Sequence, residues 1–314
     1  MNTPNTTAFL FPGQGSQALG MGRELAARFP GARYIFEQAD ELLGFSLSRL
    51  AWEGPEDSLN DTVNTQPALL VHSVAVLRVF QELHPGFQPA CVAGHSMGEL
   101  SALVAAGTLP FSDALSLVRV RGESMKHAGQ VSPGGMAAIL GLDIPALEEL
   151  CAQASTADEI VQVANDNCPG QVVISGANAA LDRVLPLIQQ AGARRAVRLA
   201  VSIAAHSPLM RHAQETFNQG VNAAPIADPI VPLIGNVTAL PLKNKTEIRK
   251  DLQDQLTHRV RWTETIQWMS AQNVTTYIEM GSGSVLTGLV KRIDRQANCF
   301  ALGTPEDFEK LAAG

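Results

Sequence analysis

The sequence predicts an α/β protein: a mainly parallel sheet covered by helices, interrupted by a small unit of order β-α-β-β-α-β. Three observations carry this reading. Short apolar runs of strand length alternate with longer helical patterns at both ends of the chain. Between Pro133 and Val201 the order becomes strand, helix, two strands, helix, strand, the split arrangement of a ferredoxin-like unit. At 314 residues, 46% hydrophobic and 17% charged, the chain is long enough to bury a large core and too apolar to be disordered.

In order, Ala8–Phe11 reads as a strand running into the glycine-rich loop Pro12-Gly13-Gln14-Gly15-Ser16-Gln17. Helices follow near Met21–Arg28 and at Pro30–Leu43. Gln66–Leu83 reads as a buried helix, apolar around nearly its whole circumference, with Pro67 in its first turn, where proline is tolerated. Ala90–Ala93 is a strand, Leu100–Ala106 a helix ended by Gly107, and Ser112 the N-cap of a helix reaching about His127. The inserted unit comprises strand Gly135–Leu142, helix Ile144–Ala154, strands Ile160–Ala164 and Gln171–Ser175, helix Ala179–Gln190 and strand Arg195–Val201. The α/β pattern then resumes: helix Pro208–Gln219, strand Val231–Val237, helices Lys245–Thr257 and Thr263–Ala271, strand Thr275–Glu279, helix Ser284–Asp294 and strand Cys299–Leu302. The expected organisation is a discontinuous catalytic domain, 1–132 and 203–314, with an inserted subdomain at 133–202.

Composition narrows the function. A net charge of −7 and the absence of a basic run argue against nucleic acid. Cys91, Cys151, Cys168 and Cys299 are scattered without metal or redox spacing, as expected of reduced thiols in the cytoplasm. The seven histidines show no metal-ligand spacing, so no metal is expected. The polar opening Met1–Thr7 has neither a basic n-region nor a long apolar run, so neither a signal peptide nor a membrane span is expected.

The chemistry concentrates at Gly94-His95-Ser96-Met97-Gly98, a G-x-S-x-G pentapeptide between a strand and a helix. That context makes it a nucleophile elbow: a sharp turn lifts the Ser96 hydroxyl above the sheet, and the helix N-terminus aims amides at an oxyanion. Alone, the pentapeptide is equally compatible with a plain turn. A serine nucleophile needs a base. His206 is the candidate, in the loop between Val197–Val201 and the helix that Pro208 starts; an ordinary loop histidine is the competing reading. His95 is read as structural. No Asp or Glu stands out as a third member, and a dyad with the imidazole oriented by a backbone carbonyl suffices in principle. Arg121 shares one helix face with Ala114, Leu117, Val118 and Met125. A guanidinium on an apolar stripe needs a partner. That partner is either an internal acid or the carboxylate of a substrate, gripped by two prongs. The loops at Gly13–Gln17 and Gly281-Ser282-Gly283 fall short of phosphate or dinucleotide fingerprints and read as strand-to-helix turns close to a site.

Several stretches, in order, resemble the malonyl-CoA:acyl-carrier-protein transacylases. They are Phe11-Pro12-Gly13-Gln14-Gly15-Ser16-Gln17, Thr65-Gln66-Pro67-Ala68, Gly94-His95-Ser96-Met97-Gly98-Glu99 and Arg119-Val120-Arg121-Gly122. Asn165 to Gly176, His206-Ser207-Pro208-Leu209-Met210, Gln255-Leu256, Val260-Arg261-Trp262 and Gly281-Ser282-Gly283-Ser284-Val285-Leu286 continue it. The resemblance spans nearly the whole chain. It implies an α/β-hydrolase-like large domain with a parallel-sheet core and an inserted ferredoxin-like βαββαβ domain. It implies Ser96 as acyl-accepting nucleophile, His206 as base, and the amides of Gln14 and Met97 as the oxyanion hole. It further implies Arg121 as the holder of the malonyl carboxylate and Gln255, through its backbone carbonyl, as the residue orienting His206. The residue before the histidine, which helps set the allowed α-substituent in related acyltransferases, is Ala205, neither the Phe nor the Ser familiar there. The substrates implied are malonyl-CoA and the phosphopantetheine thiol of an acyl carrier protein, with no bound cofactor, in a monomer. A basic patch at Lys291, Arg292 and Arg295 is the candidate docking site for an acidic carrier protein; a solvated helix face is the competing reading. A serine thioesterase or carboxylesterase is the alternative activity. Fatty-acid synthesis, polyketide synthesis and a malonate-decarboxylase subunit are all compatible with these residues.

Overall fold

The computed structural model describes residues 4–313; Met1, Asn2 and Thr3 of the polar opening, and Gly314, lie outside it. Ten strands form two sheets. In chain order they are β1 (Thr7–Phe11), β2 (Cys91–Gly94), β3 (Gly134–Leu140), β4 (Val161–Cys168), β5 (Gln171–Ala177), β6 (Arg195–Arg198), β7 (Leu233–Ile234), β8 (Pro241–Leu242), β9 (Thr276–Met280) and β10 (Asn298–Leu302).

The first sheet has the order β10-β9-β1-β2-β7-β8, parallel throughout except for the β7–β8 edge pair. Its central strands β1, β2 and β9 are buried at every position, which is why Thr-Ala-Phe-Leu-Phe and Cys-Val-Ala-Gly read as apolar runs without alternation. The second sheet has the order β4-β5-β3-β6 and is antiparallel. Helices Ile144–Ala154 and Asn178–Gln190 supply its core with Leu147, Cys151, Leu181, Val184 and Ile188. The βαββαβ order and the parallel core thus stand as the sequence predicts. Strand β4 also makes one isolated parallel bridge, Asn165 to Val260, just before helix Trp262–Ala271, with Asp166 N–H donating to Val260 C=O.

Several boundaries move for identifiable reasons. The long buried helix starts at Thr62, capped by Asp61, so Pro67 lies inside it rather than in the first turn. Proline cannot donate to the carbonyl four residues back. That carbonyl, on Val63, instead accepts from Arg119 Nη1 at 3.0 Å. The next long helix is Phe111–Val131, with Pro110 in the cap position; Ser112 lies inside it and donates to Asp113 instead of capping. Val231–Val237 is a strand only at Leu233–Ile234, because Asn236 and Val237 turn their amides to the Asp251 carboxylate. Arg195–Val201 is strand only to Arg198. Pro208–Gln219 divides into a 3₁₀ turn, Pro208–Met210, and helix Arg211–Ala223. Helices Leu47–Glu53, Glu56–Asn60 and Pro305–Ala313 and strand β8 have no counterpart in the sequence reading.

Candidate active site

Strand β2 ends at Gly94, and helix Gly98–Ala105 begins four residues later. Between them Ser96 takes φ 53°, a left-handed conformation that costs a non-glycine residue about 1–3 kcal/mol. The flanking glycines are sterically required. A Cβ on Gly94 would stand 1.9 Å from Gly98 O, and one on Gly98 would stand 2.2 Å from Phe11 O. Asn236, just past β7, clamps the turn from both sides: its Oδ1 accepts from Ser96 N–H and its Nδ2 donates to Gly94 O, both at 2.8 Å.

His206 also has positive φ, 59°, and is 2% exposed. Its Nε2 lies 2.8 Å from Ser96 Oγ. Its Nδ1 faces two backbone carbonyls, Gln255 O at 2.9 Å and His258 O at 3.1 Å. Both are acceptors only, so the proton is assigned to Nδ1 and the Nε2 lone pair points at the serine. Burial, and then the Arg121 charge, push the imidazole down to about 3, so it is neutral near pH 7. Among the described residues no carboxylate hydrogen-bonds His206; backbone carbonyls hold it.

Arg121 is buried on helix Phe111–Val131. Nη2 donates to Ser96 Oγ at 3.1 Å and to Gln255 Oε1 at 2.8 Å; Nη1 donates to Gln66 Oε1 at 2.7 Å. Among the described residues its Nε has no hydrogen-bond partner. Among the described residues no Asp or Glu forms an ion pair with it, although twelve such pairs occur elsewhere. Of the two partners open in the sequence, the internal acid is therefore not the one found. Burial lowers the guanidinium to about 10, which still leaves it charged at neutral pH.

Gln14 lies on the loop after β1. Its Oε1 accepts from Thr62 Oγ1 at 2.9 Å, Thr62 accepts from Gln66 Nε2 at 2.8 Å, and Gln66 reaches Arg121. Among the described residues the backbone amides of Gln14 and Met97 donate no hydrogen bond. Ala205 is half-buried at the edge of the large core. His95 Nε2 donates to Asn167 Oδ1 at 2.8 Å, and the ring packs edge-on against Trp262. Lys291 and Arg292 are exposed but engaged: Lys291 Nζ donates to Ala297 O, and Arg292 reaches Gln171 Oε1 and Pro169 O on the β4–β5 turn. Asn236, Gln66 and Glu99 were not singled out in the sequence. Gln66 and Glu99 sit within quoted motifs, whereas nothing local marks Asn236.

An open cavity of about 640 Å³ lies behind the site, lined among others by Cys151, Gln162, Val237, His258 and Arg261. It contains neither Ser96 nor Arg121, and touches the site only through Gln162, which donates to His206 O, and through His258. Among the described residues no group of three or more His, Cys, Asp or Glu could hold a metal ion, and no helix is long and apolar enough to cross a membrane.

The arrangement offers a hydroxyl whose proton can pass to a neutral imidazole, an amide at a helix N-terminus (Met97) and another on the loop after β1 (Gln14) that donate to no other described group, and a buried cation beside the hydroxyl. Residues 8–304 match the model of the acyl transferase domain. The chain belongs to that family. This acyl transferase is 47% identical over 302 residues to the malonyl CoA-acyl carrier protein transacylase of Bacillus subtilis (strain 168), covering 96% of this chain and 95% of the relative. It superimposes with a TM-score of 0.94 on a crystal structure of an acyl carrier protein S-malonyltransferase from Vibrio cholerae, at 42% identity and covering 98% and 99% of the two chains. A structure of a type II PKS acyl-carrier protein in complex with its malonyl-transacylase matches at TM-score 0.93 and 41% identity, covering 97% and 98%. The parallel core with its antiparallel βαββαβ unit is the fold of these acyl transferases.

Proposed function

We propose that the chain moves a malonyl group from malonyl-CoA to the phosphopantetheine thiol of an acyl carrier protein through a malonyl ester on Ser96. The observation that carries this reading is Arg121: a buried, charged guanidinium without an acid partner, one prong of which lies 3.1 Å from the nucleophilic oxygen. Desolvating such a charge is costly unless the substrate brings the counter-charge. Malonyl does, whereas acetyl does not.

In the first half-reaction Ser96 Oγ attacks the thioester carbonyl while its proton passes to His206 Nε2. The oxyanion is received by the Gln14 and Met97 amides, aided by the helix N-terminus. The C–S bond breaks, and His206 returns the proton to the CoA sulfur. The second half reverses these steps. The pantetheine thiol gives its proton to His206, its sulfur attacks the ester, and the C–O bond to Ser96 breaks as Ser96 is reprotonated. Gln255 O and His258 O hold Nδ1–H throughout, so the imidazolium formed at each step is stabilised where it arises. Arg121 disfavours that imidazolium; the malonyl carboxylate, by neutralising Arg121, removes part of the penalty. The base is thus better in the presence of the acid-bearing acyl group.

The same reading places the chain in the cytoplasm as a monomer, in fatty-acid or polyketide synthesis. It divides the chain into a catalytic domain, 1–132 and 203–314, and an inserted subdomain, 133–202. Phosphopantetheine comes with the carrier, so no resident cofactor is needed. The test is to incubate the protein with malonyl-CoA, digest it and weigh the peptides, then add holo carrier protein and follow malonyl-carrier against free malonate. The expected result is one malonyl group on the Ser96 peptide, carried over to the thiol. Ser96→Ala abolishes the adduct, and His206→Ala lowers its rate by about three orders of magnitude or more. Release of malonate at the rate of malonyl-CoA consumption would make the chain a thioesterase instead.

A further inference from the structure

Glu99 follows the elbow by one residue and is completely buried, as is Asp251 on helix Lys245–Gln255 except for a 3% exposure. Asp251 stands one helical turn before Gln255, whose Nε2 donates to Glu99 Oε2, and burial together with the neighbouring Asp251 charge holds the Glu99 carboxyl well above the usual carboxylate range. Among the described residues no Lys or Arg forms an ion pair with either. The Arg121 guanidinium reaches Glu99 only through the Gln255 amide, and two neighbouring ionised carboxylates in such a place repel each other. Asp251 accepts the amides of Asn236 at 3.0 Å and Val237 at 3.3 Å, so it suits the anion. Among the described residues Glu99 Oε1 has no hydrogen-bond partner, while Oε2 accepts from Gln255 Nε2. A protonated Glu99, whose hydroxyl donates to Asp251, satisfies every atom.

Gln255 is where this matters. Its Nε2 donates to Ser96 O at 3.1 Å and to Glu99; its Oε1 accepts from Arg121 Nη2 at 2.8 Å. Turned over, the amide would set Oε1 against Ser96 O and an N–H₂ against the guanidinium. Asp251, for its part, anchors the Asn236 backbone whose side chain clamps Gly94 and Ser96.

We propose that Glu99 and Asp251 share one proton and act as a positioning pair, in which neutral Glu99 turns the Gln255 carbonyl toward Arg121 while Asp251 fixes the Asn236 clamp on the Ser96 turn. Neither touches substrate. The inference rests on the malonyl-transfer reading only in its kinetic consequence.

The pair is tested with Glu99→Gln and Glu99→Leu. Glutamine reproduces a neutral donor and acceptor; leucine supplies neither. The infrared spectrum of the substrate-free protein at pH 7 should show a protonated-carboxyl C=O stretch that is lost in Glu99→Gln and so appears as a band in the parent-minus-variant difference spectrum. In steady-state transfer, Glu99→Gln should restore KM for malonyl-CoA to within roughly threefold of the parent. Glu99→Leu should raise it roughly tenfold or more, the loss of about one hydrogen bond to a charged group, with a smaller effect on kcat. The proposal is overturned if the carboxyl band is absent, if glutamine is as damaging as leucine (Glu99 then acts as an anion), or if leucine is harmless. Should leucine prevent folding, the band and the glutamine variant decide. If the parent takes no malonyl from malonyl-CoA, the proposed function fails while the infrared result still stands or falls by itself.

Discussion

Replacing Arg121 by Ala removes a buried cation beside Ser96 and should convert a malonyl-selective enzyme into an acyl-indifferent one. Truncating one partner of a buried charge pair costs about 2–5 kcal/mol. At about 1.4 kcal/mol per decade this is a fall of roughly 30- to 5000-fold in kcat/KM for malonyl-CoA. The upper part of the range is expected, because Arg121 is 2% exposed and water cannot take its place. Acetyl-CoA never uses the guanidinium, and the Arg121 charge is the second cause holding the His206 imidazole down to about 3. Its removal lets the base strengthen, so acetyl transfer should hold or rise. Arg121→Lys should recover part of the malonyl activity only, since an ammonium cannot reproduce the planar fork. Truncation also strips the donor from Gln66 Oε1 and Gln255 Oε1, at about 1–3 kcal/mol each. Thermal unfolding of the variants therefore accompanies the kinetics. The assay is kcat/KM for malonyl-CoA and acetyl-CoA on the parent and both variants. An equal fall for both substrates would make Arg121 a structural residue and remove the main support for malonyl selectivity.

Two further outcomes follow from the same geometry. His206 and His72 are buried and neutral, held to about 3 and about 4 chiefly by burial, against 6.5 when unfolded. Both folded values are depressed, so the unfolded chain protonates first and stability is lost as pH falls from 6.5 toward those values. At pH 5 the loss is about 2 kcal/mol per histidine. His206→Ala should reduce the loss of stability between pH 7 and pH 5, read from urea unfolding, by the His206 share of about 2 kcal/mol; an unchanged pH dependence would refute the assignment. Second, Gly98→Ala would press a Cβ to 2.2 Å from Phe11 O, whereas Gly288 has open space around its Cβ position on an exposed helix face. Gly98→Ala should lose Ser96 acylation and destabilise by about 1–3 kcal/mol or more; Gly288→Ala should be neutral or stabilise by about 0.5–1 kcal/mol, and equal behaviour of the two in melting and acylation would refute the steric account of the elbow.

Local patterning determined a large part of this protein. Apolar runs at β1, β2 and β9 announced a buried parallel sheet, because both faces of such strands meet helices. The strand, G-x-S-x-G and helix succession announced the Ser96 turn, because only glycine fits at positions 94 and 98. The i, i+3, i+4, i+7 stripe put Arg121 on the core side of its helix. What the sequence left undecided depends on groups far apart in the chain. Arg121 could have met an internal acid; only the packing of helices Thr62–Leu83, Phe111–Val131 and Lys245–Gln255 shows Gln66 and Gln255 there instead. The partners of His206 Nδ1 are backbone carbonyls, which carry no residue signature. Asn236 joins the elbow across 140 residues, and the proposed Glu99–Asp251 pair depends on the fold burying two acids from distant parts of the chain together. Pro67 belongs with these: local rules put it in the first turn, and a guanidinium from another helix allowed it to sit inside. Spacing along the chain sets which face a side chain occupies; which charge or lone pair it meets is decided by what the fold brings to that face.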